Sequence, residues 1–397
     1  KSSIDSTTIP NIQPETNLAC QNQTLNRQQS TTIKFLNVSS PVTVFVTSEK
    51  SVLTFKIIDS KGNFFNHSIE ISELKKKEIK VEEKIIKNIK NDGNRPVFIS
   101  ANMICFVDKN LKQVNVYNCE NWTLEQITFQ NFEIESIESD EKGYLAVCSN
   151  DSSVTLFNLT SKIKPPSVMM KIASASSLLS SQKLLSSSSS NTLFSSNRSL
   201  VSRSSSNDRI PINSIDSGLS DYSVSFYSYI DTIHSVGISQ EFKTIVCGTS
   251  DNQLLFCQFD LDQITLSRVV KVDGRPKNII VTDNFGFVVV LLTQRVECFV
   301  HQKLVLFNIN GNEIRALDGD DIVQMTCASS TPGCFDYLII ADKSNRIFVL
   351  EAYSLILKNP IFTCKSKITQ LKYLRDEMLI LAVCEDGTVN VIFHPII

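Results

Sequence analysis

Residues 144–157 decide the fold: Tyr144-Leu145-Ala146-Val147-Cys148, then Ser149-Asn150-Asp151-Ser152-Ser153, then Val154-Thr155-Leu156-Phe157. An apolar run of strand-forming residues enters a polar turn carrying Asp, and an alternating run leaves it. That pattern is a strong short-range signal for a β-hairpin. It recurs at 244–256, 337–350 and 378–392, with Asp251, Asp342 and Asp386 in the turns. Looser copies pair 42–47 with 52–58, 96–107 with 113–119, and 285–292 with 303–309 across a long turn, making seven hairpins. Equivalent turns lie roughly 42–49 residues apart except where an insertion intervenes, close to the period of ~40–50 expected for four-stranded propeller blades.

Several hairpins follow a further short β segment, such as 230–236 and 368–373, which supplies the inner strand of a blade. A lone sheet that is apolar on both faces cannot bury both, whereas radial stacking does so and leaves only short edges. The reading is therefore an all-β, seven-bladed WD40-like β-propeller. Only 394–397 remain after the last hairpin, too few for a fourth strand. The missing outer strand is expected from the N-terminal region, at 18–25 or 31–38. Residues 1–30 then form a linker or the closing segment, and 31–397 form the propeller.

Two stretches break the period. About half of residues 174–206 are Ser, and such a tract cannot offset its ordering entropy. A disordered insertion is expected over 160–219. Arg198, Arg203 and Arg209 punctuate it, which makes Ser199, Ser202 and Ser206 candidate phosphorylation positions, since added phosphate creates or abolishes docking sites. The second stretch, 72–92, alternates Lys and Glu with Ile79, Val81, Ile85, Ile86 and Ile89. It reads as a solvated loop plus an inner strand.

Composition narrows the function. With 39 basic and 41 acidic side chains the formal charge is −2, which offers neither nucleic acid nor an anionic membrane a reason to bind directly. The 11 cysteines show no C-x-x-C spacing and sit mostly in apolar runs, as buried reduced thiols do. The sequons at Asn22, Asn37, Asn66, Asn121, Asn150, Asn158 and Asn197 match chance in an Asn- and Ser-rich chain, and a cytoplasmic place is expected. The chain opens at Lys1 with no leader pattern, which reads as a segment of a longer protein. The four histidines stand apart, and no metal, phosphate-loop or nucleophile-elbow motif occurs. Neither catalysis nor a cofactor is expected. Asp151, Asp251, Asp342 and Asp386 are expected to cap their own turns.

The segments Asp151-Ser-Ser-Val154 and Asp386-Gly-Thr-Val389 resemble the WD-repeat turn, although Trp122 is the one tryptophan and no Gly-His precedes a blade. The phrases FGFVVV (285–290), LFNINGNEIR (306–315), GCFDYLIIAD (333–342) and RIFVLEAYSL (346–355) resemble the propeller that ends BEACH-domain proteins, large scaffolds of lysosomal and vesicle trafficking, autophagy and membrane fission. These phrases make up 36 of the 397 residues. The resemblance implies a non-catalytic scaffold that binds other proteins through propeller rims and loops. It also implies PH-like and BEACH domains upstream in the same chain, and a peripheral, indirect association with endolysosomal or vesicle membranes. A generic adaptor of a vesicle coat or a ubiquitin ligase is the alternative.

Overall fold

The computed structural model describes residues 30–82, 84–89, 94–129, 132–160, 223–227, 231–260, 263–296, 299–319, 321–329 and 335–394. The Ser-rich tract, including Ser199, Ser202 and Ser206, and the stretch 18–25 lie outside them.

The chain enters as β1 (Ser30–Phe35) and then builds seven sheets in turn. Blade I holds β2 (Pro41–Glu49), β3 (Val52–Asp59) and β4 (Asn63–Glu70). A 3-10 turn (Ile71–Lys75) and β5 (Glu78–Val81) precede its outermost strand, β6 (Lys87–Asn88). Blade II is β7 (Asn94–Ser100), β8 (Met103–Val107), β9 (Gln113–Asn118) and β10 (Leu124–Thr128). Blade III is β11 (Ile134–Ser139), β12 (Tyr144–Ser149), β13 (Ser153–Asn158) and β14 (Ser223–Tyr227). Blade IV is β15 (Ile233–Ser239), β16 (Thr244–Thr249), β17 (Gln253–Phe259) and β18 (Ile264–Lys271). Blade V is β19 (Arg275–Val281), β20 (Val288–Val296), β21 (Phe299–Phe307) and β22 (Glu313–Asp318). Blade VI is β23 (Ile322–Ser329), β24 (Asp336–Asp342), β25 (Arg346–Glu351) and β26 (Phe362–Thr363). Blade VII is β27 (Ile368–Leu374), β28 (Leu379–Cys384) and β29 (Thr388–Phe393), completed by β1. The fold is a seven-bladed β-propeller.

Closure is non-local. β1 pairs antiparallel with β29 from Ser30↔Ile392 to Lys34↔Thr388, so the segment expected at 31–38 supplies the outer strand. The stretch 72–92 behaves differently from expectation. Its Glu78–Val81 part lies parallel to β1 as a fifth strand of blade VII, and Lys87–Asn88 is the outermost strand of blade I. Neither piece is an inner strand, because β7 takes that position in blade II.

One hairpin differs in frame, and two that pair as expected differ in detail. The pair 42–47 and 52–58 does form, but as the first and second strands of blade I, one strand earlier than the recurring hairpin of the other blades. The run 96–107 folds back at Ala101-Asn102 into β7 and β8. The long turn after residue 292 is strand: Thr293–Gln302 and Val296–Phe299 continue the β20–β21 ladder.

Seven apolar layers lie between neighbouring blades, and alternate residues of one strand feed two of them. Leu145 and Val147 of β12 pack toward blade II, while Tyr144, Ala146 and Cys148 pack toward blade IV. Val289 and Leu291 face blade VI, and Val288, Val290 and Leu292 face blade IV. This is why the second strands read as unbroken apolar runs, as strands buried on both faces do. The seventh layer joins blade VII to blade I and includes Ile33 and Phe35 of β1. Every inner strand carries a bulge near its start, with Val42, Glu135, His234, Lys277, Val323 and Thr369 as the extra residue of the register shift in six of them. An extra residue bends the strand and increases its local twist.

Candidate functional site

The two rims of the ring are chemically unlike. One rim carries the turns between second and third strands, where the four predicted aspartates sit. Asp151 accepts from the Ser153 N–H (3.2 Å) and hydroxyl (2.6 Å), and Asp386 accepts from the Thr388 N–H (3.1 Å) and hydroxyl (2.6 Å). Asp251 accepts from the Thr249 hydroxyl at 2.5 Å, and Asp342 from the Arg346 N–H at 2.9 Å and its guanidinium at 2.7 Å. Two further aspartates do the same work and were not singled out from sequence. Asp59 binds the Lys61 and Asn63 N–H groups, and Asp108 those of Asn110, Lys112 and Gln113. In all six turns a residue adopts positive φ: Gly62, Leu111, Ser152, Asn252, Asn345 and Gly387. Side-chain capping and a left-handed residue are what a tight turn between short strands requires. These aspartates are spread around the rim and converge on no common point.

His234 occupies the bulge of β15, with Nε2 2.7 Å from the Pro276 carbonyl oxygen of blade V. Burial, then the charge of Arg275, lowers its pKa. It bridges two blades through the Pro276 contact.

The opposite rim holds the first-to-second-strand loops and the mouth of the axial channel, a cavity of about 470 Å³ walled by inner strands of blades III to VII. Charges bridge this mouth. Lys372 of blade VII pairs with Glu141 of blade III. Lys142 lies 3.2 Å from Asp283 of blade V, which also lies 3.7 Å from Arg375. The more exposed Lys142–Asp283 pair is worth at most about 1 kcal/mol, and together these pairs fix loop positions across the axis. Glu138 lines the channel, with an accessible surface but surrounded by protein, and the resulting desolvation raises its carboxyl to about 7. Burial likewise raises Asp140.

Beside the mouth, blades V and VI present an aromatic patch. Phe285 (46% exposed) and Phe335 (58%) sit on first-to-second-strand loops, and Tyr353 (51%), Ile356 (58%) and Leu357 (50%) on the loop after β25. The rings of Phe285 and Phe287 stack at 5.7 Å, and Phe287 lies 6.1 Å from Tyr353. The loop that carries them is tied down. Asp336, 2% exposed at the start of β24, accepts from the Thr282 hydroxyl (2.5 Å) and from the Asn284 (3.1 Å) and Phe285 (2.9 Å) N–H groups. Gly286 takes φ +64°, and a Cβ there would meet the Phe242 ring at 3.1 Å. The Arg315 guanidinium donates to the Ser354 carbonyl at 3.2 Å and holds the second loop. Sequence reasoning missed this patch, although its aromatics stand just outside the apolar strand runs.

Among the described residues no group of three or more His, Cys, Asp or Glu is placed to hold a metal ion, and no helix is long and apolar enough to cross a membrane. All eight described cysteines are free thiols.

No family model and no curated protein matches the chain. Solved structures do. The crystal structure of BBS1N in complex with ARL6DN, soaked with lead, aligns with TM-score 0.54 at 12% identity over 90% of this chain and 93% of that chain. The mercury-soaked crystal of the same complex aligns with TM-score 0.52 at 11% identity over the same shares. Identities this low establish the shared propeller fold.

Proposed function

We propose that this propeller is a non-catalytic protein-interaction platform whose docking surface is the aromatic patch of blades V and VI. The observation that carries the reading is the patch itself: half-exposed aromatic and aliphatic side chains on loops pinned by the buried Asp336. Exposed apolar clusters rimmed by polar residues mark interaction sites, and pre-ordered loops reduce the entropy lost on binding. The expected partner element is an apolar or amphipathic segment of another protein. A propeller of this architecture has been crystallised with a protein partner, as BBS1N with ARL6DN.

The finer reading is a trafficking scaffold of the BEACH type, with residues 31–397 as its propeller. It is supported by the resemblance of 285–290, 306–315, 333–342 and 346–355; three of these stretches carry patch residues. The insertion between Thr160 and Ser223 joins the third and fourth strands of blade III and so leaves on the same rim as the patch. Phosphorylation at Ser199, Ser202 or Ser206 would add charge to that insertion and tune docking.

The test is proximity labelling in native cells with the full chain and the Phe285→Ser/Phe335→Ser variant. Selective loss of trafficking or autophagy proteins from the variant is expected. An unchanged partner set would remove the patch as the docking surface. Loss of ubiquitin-ligase or coat components instead would leave the docking surface standing and overturn the BEACH reading in favour of a generic adaptor.

A further inference from the structure

Two thiols meet across the seam between blades VI and VII. Cys364 directly follows β26, and Cys384 ends β28. The Asn390 amide Nδ2 lies 3.4 Å from each sulfur. The amide is oriented by β1, since the Thr32 hydroxyl donates to Asn390 Oδ1 at 3.0 Å and leaves the NH₂ group facing the sulfurs. Held around one amide, the two thiols are near enough for each to shift the acidity of the other.

We propose that Cys364 and Cys384 form a redox pair that a small hydroperoxide converts into an inter-blade disulfide. A thiolate is the nucleophile in such chemistry, so the thiol with the better-stabilised anion reacts first. The interaction with Cys364 holds Cys384 below its ordinary value against the effect of burial, and the same interaction raises Cys364. Burial pushes Cys105, Cys119, Cys148 and Cys327 up. Cys384 is fully buried and Cys364 is 5% exposed, so a bulky disulfide is excluded and the oxidant the proposal requires is a small one, hydrogen peroxide, entering at the Cys364 side.

The Cys384 thiol ionises and its sulfur attacks one peroxide oxygen; the O–O bond breaks, and the departing hydroxide takes up the proton released on that ionisation to become water. The resulting sulfenic acid is then attacked by the Cys364 sulfur. The S–S bond forms, the S–O bond breaks, and the hydroxyl leaves with the Cys364 proton as a second water. The two sulfurs together lose two electrons and the peroxide gains them. The product ties the edge of blade VI to the second strand of blade VII, beside the strand that closes the ring.

The experiment treats the reduced full chain with hydrogen peroxide, blocks remaining thiols with N-ethylmaleimide, and maps peptides without reduction. A linked Cys364–Cys384 peptide, two hydrogens lighter and reopened by dithiothreitol, is expected. Cys247 and Cys257 are the internal comparison: they contact each other on adjacent strands of one blade and are both fully buried. They should remain alkylated. No Cys364–Cys384 link, or equal linking of Cys247 with Cys257, would overturn the proposal. In Cys364→Ser the expected product is Cys384 oxidised beyond the sulfenic stage with no link, and an unoxidised Cys384 would count against its role as the attacking sulfur. The wild-type map decides the main point even if that variant folds poorly.

Discussion

Replacing Gly387 with alanine tests the closure of the ring. Gly387 sits at φ +80° in the turn between β28 and β29, and a Cβ there would lie 2.9 Å from the Val38 carbonyl oxygen and 3.2 Å from that of Phe35. Both obstacles are backbone atoms of the closing segment, so neither can rotate away. A left-handed conformation costs an L-residue about 1–2 kcal/mol. Displacing the segment also weakens the Phe35 N–H bond to the Gly387 oxygen (3.2 Å), about 1 kcal/mol. Stiffening the unfolded chain returns about 0.5–1 kcal/mol. The net loss is about 2 kcal/mol. With an unfolding entropy of about 2.1 cal/mol/K per residue over roughly 300 ordered residues, this is a fall of about 3 °C in Tm. Ser152→Gly is the matched control, because Ser152 holds φ +68° in the equivalent turn of blade III. Relief of strain there exceeds the added unfolded-state entropy by about 0.5 kcal/mol. Thermal unfolding with hydrogen exchange mapped onto β1 and β29 reads both. If Gly387→Ala leaves Tm within 1 °C, or if both variants shift it down together, the account of the closure turn is wrong.

Asp336→Ala removes the acceptor for three donors of the 282–285 loop and should destabilise the protein by about 3 kcal/mol; unchanged exchange protection over 282–287 would contradict the pinning described above. Glu138 titrates near 7 in the folded protein against an ordinary 4.5, so the native state binds the extra proton between those values. Stability should therefore fall as pH rises from about 4.5 to about 7 and the penalty stay constant above. Glu138→Gln should flatten that slope, and Tm measured at pH 5 and pH 8 for both proteins is the check. Deleting residues 1–38 strips β1 from β29 and removes Ile33 and Phe35 from the blade VII–I layer, so amides of 379–393 should exchange faster while those of blade IV keep their protection.

Hairpins were legible wherever a doubly buried second strand met an aspartate turn, because period, apolar run and cap coincide at Asp151, Asp251, Asp342 and Asp386. Closure by the N-terminal region followed from a missing strand. The frame of blade I was not legible: 42–47 and 52–58 are as good a hairpin as any, and only stacking decides that Asp59 starts the equivalent turn. The parallel strand Glu78–Val81 was hidden because its partner is β1, whose own place is set by β29. The mouth of the channel was invisible for the same reason. Glu141 and Lys372 are 231 residues apart, and no local pattern announces that they face each other. Asp336 reads as an ordinary strand start until its three donors from the neighbouring blade are seen.

The β1–β29 seam also sets a timetable for synthesis. Thr32 and Asn390 are separated by 358 residues, which a ribosome adding about 5–20 residues per second takes roughly 20–70 s to traverse. Over that interval β1 has no antiparallel neighbour. Its parallel partner Glu78–Val81 emerges far sooner and can shelter one edge, while the other stays open until translation reaches the last blade. An unpaired edge bearing Ile33 and Phe35 is a template for strands of other chains. The edge of β1 thus stays open to mispairing until β29 has been made, and a stall anywhere between the two strands would prolong that exposure.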